Sequence, residues 1–314
     1  MTSTAVATRR IPEWIRSRLP AGETYDELDS LLAGLALNTV CREADCPNLG
    51  ECWDERTATI MILGDTCTRA CGFCAVKTGR PTWFDDGEPS RVAEAVARLG
   101  LEHVVITSVA RDDLPDGGAS VFAETIRRLR RTCPGTGVEV LIPDFNGDVR
   151  PLGVVMDAGP DILGHNVETV ERLQKSVRRR ARYERSLTVL RHAKALASAS
   201  GTVVYTKSSL MVGLGEERAE LSQAFRDLRT VDCDILTIGQ YLRPSRAHLP
   251  VARFVHPDEF AEMRAEALDL GFRHVESGPL VRSSYRARDQ VPKGAAAQER
   301  GQASVVAGGW VVPG

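Results

Sequence analysis

Eight cysteines stand in the 314-residue sequence, and six of them (Cys41, Cys46, Cys52, Cys67, Cys71 and Cys74) crowd into 34 residues. In a reducing compartment such density reads as metal ligands or reactive thiols, not disulfides. Cys133 and Cys233 stand alone and read as ordinary thiols, because an isolated cysteine packs as a small hydrophobe. Cys67, Cys71 and Cys74 form C-x3-C-x2-C within GDTCTRACGFCAV, and Cys41, Cys46 and Cys52 form C-x4-C-x5-C just upstream. A structural zinc site wants four ligands, commonly as two C-x2-C halves. The downstream loop offers three, with no fourth Cys or His at knuckle distance. Three thiolates on a four-iron cubane leave one iron without a protein ligand, and an open position is how a metal centre keeps a place for substrate. The upstream trio on spacing alone also fits a zinc site or three unmodified thiols. Its closeness to the first suggests a second cluster, again one protein ligand short.

The elements that must position these loops are legible as an alternation. Strand-like apolar runs occupy 59–65, 103–109, 138–144, 161–166, 202–213 and 234–240, with 274–280 as a seventh possibility. Helical patterns fall at 90–100, 120–132, 186–198 and 257–271. Apolar strands alternating with amphipathic helices predict βα units on a parallel sheet. Six units at this spacing suit a complete or partial barrel, although a flavodoxin-like fold gives the same alternation. Polar residues gather where the runs finish, among them Asp112, Asp113, His165, Asn166, Lys207 and Gln240. In a parallel barrel those ends form the mouth of the active site. The plainer reading is that polar residues begin surface loops, and that a buried histidine such as His165 is a satisfied structural one.

Composition bounds the rest. The chain is 43% hydrophobic, and 40 basic against 42 acidic residues give a net charge of −2. Nucleic-acid binding driven by phosphate contacts needs a basic face that this balance does not supply. No apolar run of 18 residues suggests a membrane span, and the first residues lack a signal or transit pattern, so a cytoplasmic protein is expected. Residues 1–10 read as a loose end, 11–35 as short amphipathic helices (EWIRSRL, YDELDSLLAGL), and 288–314 as a disordered tail.

The C-x3-C-x2-C loop after the first strand resembles that of the radical S-adenosylmethionine (SAM) superfamily. VCREADCPNLGECW, TATIMILGDTCTRACGFCAV, TSVARDDLPDGGA, LIPDFNGD, HNVETV, ARYERSL, ILTIGQYLRPS and SGPLVRSSYRA together are similar to the lipoyl synthase family, from about Ile11 to Ala287. The resemblance implies a partial (β/α)6 TIM-like barrel of radical SAM type over 57–277. An N-terminal extension (11–56) and a C-terminal RSSY segment (278–287) flank it. It implies two [4Fe–4S] clusters and SAM as cofactors, with Cys67, Cys71 and Cys74 holding the SAM-cleaving cluster. Cys41, Cys46 and Cys52 would hold an auxiliary cluster, completed by a serine of Arg282–Ser283–Ser284–Tyr285, of which Ser284 is favoured. The implied reaction inserts two sulfurs from the auxiliary cluster at carbons 6 and 8 of a protein-bound octanoyl-lysine. Partners would be lipoyl-carrier domains of oxo-acid dehydrogenase subunits or glycine-cleavage H protein, and an electron donor such as ferredoxin or flavodoxin. A sulfur-inserting paralogue with another acyl or small-molecule substrate stays open. The six strand-end polar residues would surround SAM or the acyl-lysine, and GLGE (213–216) shapes either a tight turn or a loop near the nucleoside. RRLRR (127–131) and RRRARYER (178–185) read as solvated helix faces or as aids to carrier docking. TWFDDGE (82–88), the long Ser/Ala-rich stretch at 197–201 and the tail beyond Ala287 depart from the family pattern without removing a cluster ligand.

Overall fold

The computed structural model describes residues 10–16, 23–43, 46–54 and 57–290. The expected loose N-terminus (except Arg10) and disordered tail (except 288–290) lie outside these residues, as does the end of EWIRSRL. The described part of that segment is turn and coil rather than helix.

After α1 (Glu23–Gly34), two short helices, α2 (Val40–Glu43) and α3 (Leu49–Asp54), carry Cys41 and Cys52, and Cys46 lies between them. The parallel strands are β2 (Thr59–Ile62), β5 (His103–Ser108), β6 (Gly137–Leu141), β7 (Ile162–Gly164), β8 (Tyr205–Val212), β9 (Ile235–Gln240) and β10 (His274–Gly278). They lie side by side in chain order, and a short β1 (Asn38–Thr39) adds antiparallel to the outer edge of β2. Two further short strands, β3 (Thr66–Cys67) and β4 (Lys77–Thr78), pair with each other alone. The longer helices of the crossovers are α4 (Glu88–Leu99), α5 (Ala119–Thr132), α6 (Val149–Asp157), α8 (Tyr183–Ser200), α9 (Arg218–Thr230) and α10 (Pro257–Asp269). The short α7 (Gln174–Val177) precedes α8.

A doubly wound sheet reverses its strand order at a switch point. This order contains no reversal, so right-handed crossovers place the helices on one side and curl the sheet into an open barrel. The expected seventh strand is present and pairs with β9 from His274↔Ile235 to Gly278↔Gly239.

Alternation along the strands sorts the two faces. Val104, Ile106, Val138 and Val140 pack with Val92, Val96, Phe122 and Ile126 of the helices. Each such side chain, fully buried, contributes about 1.5–3 kcal/mol. The residues between them face the concave side, where Ile162, Tyr205 and Ile235 form their own cluster. The same face carries Glu139 and Lys207, each 2% exposed at the side chain and joined by a 2.8 Å ion pair.

Beyond β10 the chain turns back across the concave side. A Cβ on Gly239 would lie 2.0 Å from the Val281 carbonyl oxygen, so only glycine lets the returning backbone cross β9 this closely. Asn48 Nδ2 then donates to the Leu280 carbonyl (2.6 Å), and Thr59 Oγ1 donates to Ser284 Oγ (2.8 Å). The C-terminal segment therefore spans from β9 to β2, the first parallel strand, across the open seam of the barrel.

Candidate functional site

The C-x3-C-x2-C loop is closed on itself before it meets anything else. Thr66 and Cys67 pair in parallel with Lys77 and Thr78, and the Gly79 amide donates to the Cys67 carbonyl (2.9 Å). Three neighbours then fix the loop. Thr68 donates to the Ala110 carbonyl, Gly72 donates to the Val177 carbonyl, and Gly72 accepts from the Leu249 amide. The Cys67 sulfur accepts the backbone amides of Arg69 and Ala110, both at 3.4 Å. Burial pushes the Cys71 and Cys74 thiols up to about 11 and about 12, and the charges of Cys67 and Glu168 raise both further. The three cysteines of the loop couple electrostatically, and a bound cation would remove the penalty on their thiolates.

Two charged groups stand over this loop. Glu168 holds a left-handed backbone (φ 64°), fixed because its amide donates to the Ser209 carbonyl (2.9 Å) and its own carbonyl accepts the Met211 amide (2.9 Å). Burial raises its carboxyl. Arg178, buried, donates to the Val167 carbonyl (3.0 Å) and to Ser186 (3.3 Å), and its charge reaches Cys71 and Glu168. Neither residue was singled out in the sequence reading; the HNVETV and RRRARYER segments contained them, without a signal that the two would meet.

The six strand-end candidates divide. Asp112 accepts from Arg69 Nε (2.9 Å) and Nη2 (2.7 Å), so it anchors the residue between Cys67 and Cys71. Arg69 Nη2 also reaches Asp144 at 2.7 Å. Burial alone would raise the Asp144 carboxyl, but the Arg69 guanidinium holds it down to about 2. Asp113 pairs with Arg111, and a cavity of about 170 Å³ opens beside Arg69, Arg111, Asp112, Phe145 and Asn146. Asn166 Nδ2 donates to Glu168 (3.0 Å), while its Oδ1 is buried with no hydrogen-bond partner among the described residues.

The other three commit their polar atoms to the chain itself. His165 meets the Ile142 carbonyl and Ser186 Oγ, both at 2.9 Å, and burial lowers it to about 4, so the ring is neutral. Gln240 donates to the carbonyls of Val212, Tyr241 and Arg253 and accepts the Val255 amide. Lys207 does not end a strand: it is the third residue of β8, which runs on to Val212. Its ammonium lies inside the barrel on Glu139. Residues 213–216 form a turn in which the Glu216 carboxylate accepts the amides of Gly213 and Leu214.

The second trio sits where the N-terminal loop meets the C-terminal segment. The Cys46 amide donates to the Cys41 carbonyl (3.1 Å), and the Cys52 amide to the Asn48 carbonyl (2.9 Å). Burial raises Cys41 to about 11, with the Cys46 charge adding to it, and burial also raises Cys46, opposed by the Arg282 charge. Tyr285 Oη donates to Glu51 (2.9 Å), which Arg286 also approaches at 3.7 Å, and Tyr285 feels Cys52. The charge of Arg282 thus reaches Cys46 and Tyr285 couples to Cys52, while Ser284 Oγ accepts from Thr59.

Among the described residues no three His, Cys, Asp or Glu side chains are arranged to grip a single metal ion. The donor chemistry of the two trios, thiols with backbone amides or arginines close by, is that of iron–sulfur ligation.

A parallel α/β barrel with a three-cysteine loop after its first strand is the arrangement of the radical SAM superfamily, whose model matches residues 61–228. Its members work with SAM and a [4Fe–4S] cluster. The same fold occurs in a maturase of the [FeFe]-hydrogenase, with a TM-score of 0.55 at 13% identity, covering 78% of this chain and 65% of that one. It occurs too in Streptococcus suis SuiB bound to S-adenosylmethionine, with a TM-score of 0.54 at 8% identity, covering 74% and 54%. The model of the N-terminal domain of lipoyl synthase matches residues 2–46. Lipoyl synthase of Rubrobacter xylanophilus is 59% identical over 279 residues, 89% of this chain and 86% of that protein. That of Symbiobacterium thermophilum is 60% identical over 281 residues, 90% and 87%. The chain belongs to the lipoyl synthase family of radical SAM enzymes. Among the described residues no helix is long and apolar enough to cross a membrane.

Proposed function

We propose that this enzyme inserts sulfur at carbons 6 and 8 of an octanoyl chain carried on a lysine of a lipoyl-carrier domain. Cys67, Cys71 and Cys74 would hold the SAM-cleaving cluster, and Cys41, Cys46, Cys52 and Ser284 an auxiliary cluster. The observation that supports this reading is the set of hydrogen bonds Asn48–Leu280, Thr59–Ser284 and Tyr285–Glu51, which join the segment carrying Ser284 to the one carrying the first cysteine trio.

When bound, the clusters and SAM supply the electron, the radical that breaks an unactivated C–H bond, and the sulfide. The chain's own residues bind and orient. SAM presents an ammonium and a carboxylate at one end, and Glu168 beside Arg178 is the matching pair of charges at the Cys71–Cys74 side. Arg69, locked between Asp112 and Asp144, keeps the cysteine loop in one geometry. The concave face of the sheet encloses the acyl chain and excludes water, holding its carbons between the two cysteine trios. An alkoxide is a poor partner for iron beside soft thiolates, so Ser284 is the ligand expected to yield first when the auxiliary cluster gives up sulfide. Octanoylated carrier domains of oxo-acid dehydrogenases or the glycine-cleavage H protein are the proposed partners, with ferredoxin or flavodoxin as electron donor.

The test is an anaerobic reaction with octanoylated carrier, SAM and reductant, read by mass spectrometry. A carrier that gains two sulfurs supports the proposal. Formation of 5′-deoxyadenosine without sulfur on the carrier overturns it in favour of a paralogue with another substrate. Two cubane clusters also require about eight irons per chain; zinc without sulfide would end the cluster reading.

A further inference from the structure

We propose that Thr59 is the positioning residue of the auxiliary cluster, holding Ser284 in place from the rigid edge of the barrel. The inference rests on the reading of Ser284 as a ligand. Thr59 is the first residue of β2, locked in register with Val105 and only 5% exposed. It adjoins both halves of the second site. Its strand neighbour Ile60 pairs with Thr39, two residues before Cys41, and its hydroxyl donates to Ser284 Oγ at 2.8 Å across 225 residues of chain.

The two halves differ in how firmly the fold holds them. Cys41 is buried within helix α2. Ser284 lies in a turn of the returning segment, between the Tyr285–Arg282 and Ala287–Ser284 backbone hydrogen bonds. A ligand on such a turn needs an external group to fix its direction, and hydrogen bonds to a ligating atom commonly supply that. Threonine suits the task because its β-branch restricts χ1 and its backbone belongs to the sheet, so the hydroxyl direction is set before the serine arrives. Valine keeps the shape and strand preference of threonine and removes only the hydroxyl. Serine keeps the hydroxyl.

The experiment follows loss of iron and sulfide from the holoenzyme to a chelator, with SAM cleavage to 5′-deoxyadenosine as the readout of the other cluster. Thr59→Val is expected to lose the auxiliary cluster on the order of 10–100-fold faster than the parent, with SAM cleavage retained. Thr59→Ser is expected to retain the auxiliary cluster like the parent. In a Ser284→Ala background, Thr59→Val should add nothing, because the hydroxyl then has no ligand to hold. Parent-like retention in Thr59→Val, or an acceleration that persists in Ser284→Ala, overturns the proposal. If Ser284→Ala itself keeps the auxiliary cluster as long as the parent, the ligand reading fails first and this inference with it. Should Thr59→Val not accumulate, Thr59→Ala replaces it in the same cycle.

Discussion

Asp144→Asn tests whether the buried charge network holds the SAM-cluster loop. The Asp144 carboxylate is fully buried and contacts Arg69 at 2.7 Å and Arg185 at 3.2 Å. Its carboxyl falls from the usual 3.8 to about 2 despite burial, because Arg69 stabilises the charged form. At 1.36 kcal/mol for each tenfold change in acidity, that difference is about 2.5 kcal/mol of folding stability. The folded value lies below the unfolded one, so the contribution is complete above about pH 4 and is lost as the pH falls toward 2. Asparagine mimics the protonated acid, and Arg69 keeps Asp112, so no uncompensated charge is created. Anaerobic urea denaturation at neutral pH should therefore show a loss of about 2–3 kcal/mol, or a drop in Tm of about 3–5 °C. The difference from the parent should be flat between pH 6 and 8, where Asp144 does not titrate. Iron at the C-x3-C-x2-C loop should also leave faster, since Arg69 stands between Cys67 and Cys71. A change below about 0.5 kcal/mol, the range of an ordinary surface substitution, would refute the argument, as would a difference that grows across that pH range.

Lys207→Met removes the ammonium from Glu139 and leaves that buried carboxylate with His103 alone at 3.4 Å, an expected loss of about 3 kcal/mol in denaturant unfolding. Adding Glu139→Leu should recover most of it. Gly239→Ala drives a methyl into the Val281 carbonyl and displaces the C-terminal segment; SAM cleavage should survive while sulfur transfer to the carrier fails. Cys71→Ala should abolish 5′-deoxyadenosine formation, whereas Cys46→Ala should spare it and stop sulfur transfer. Equal loss of cleavage in both variants would contradict separate roles for the two trios.

The barrel was legible because its strands are buried on one face by helices and read as apolar runs, and each run from TIMI to HVES became a strand. Boundaries were less so. Thr202 and Val203 look like strand, but closing the end of α8 takes the Thr202 amide. Lys207 is the third residue of β8, far from its C-terminal end, so its ammonium lies in the interior and not at the mouth. His165 and Gln240 carry the residue types of a binding site and also those of internal hydrogen-bonding posts. Only their partners, Ile142, Ser186 and the backbone at 253–255, decide between the two. Glu168 was passed over for a different reason. Its left-handed backbone, which aims the carboxylate at the cysteine loop, depends on the register with Ser209 and Met211, and no local pattern announces that.

The two cysteine trios differ in the same way, and the difference bears on what each can do. Cys67, Cys71 and Cys74 are a local motif on a loop closed by its own ladder and pinned by buried charges, so short-range spacing describes them almost completely. The second site is composite. Ser284 comes from the far side of the chain, and the junction is a set of hydrogen bonds from the Asn48 turn, α3 and β2 to the returning segment. Such junctions open at lower cost than the elements they join. A cluster that only passes electrons gains from a rigid cradle. A cluster consumed as a sulfur source must be dismantled and rebuilt, which favours ligands drawn from two segments that can part without unfolding the barrel. Under the proposed ligation, the distance between Cys41 and Ser284 in the chain would itself be a functional feature, and Thr59, on the strand side of the junction, the residue that sets its strength.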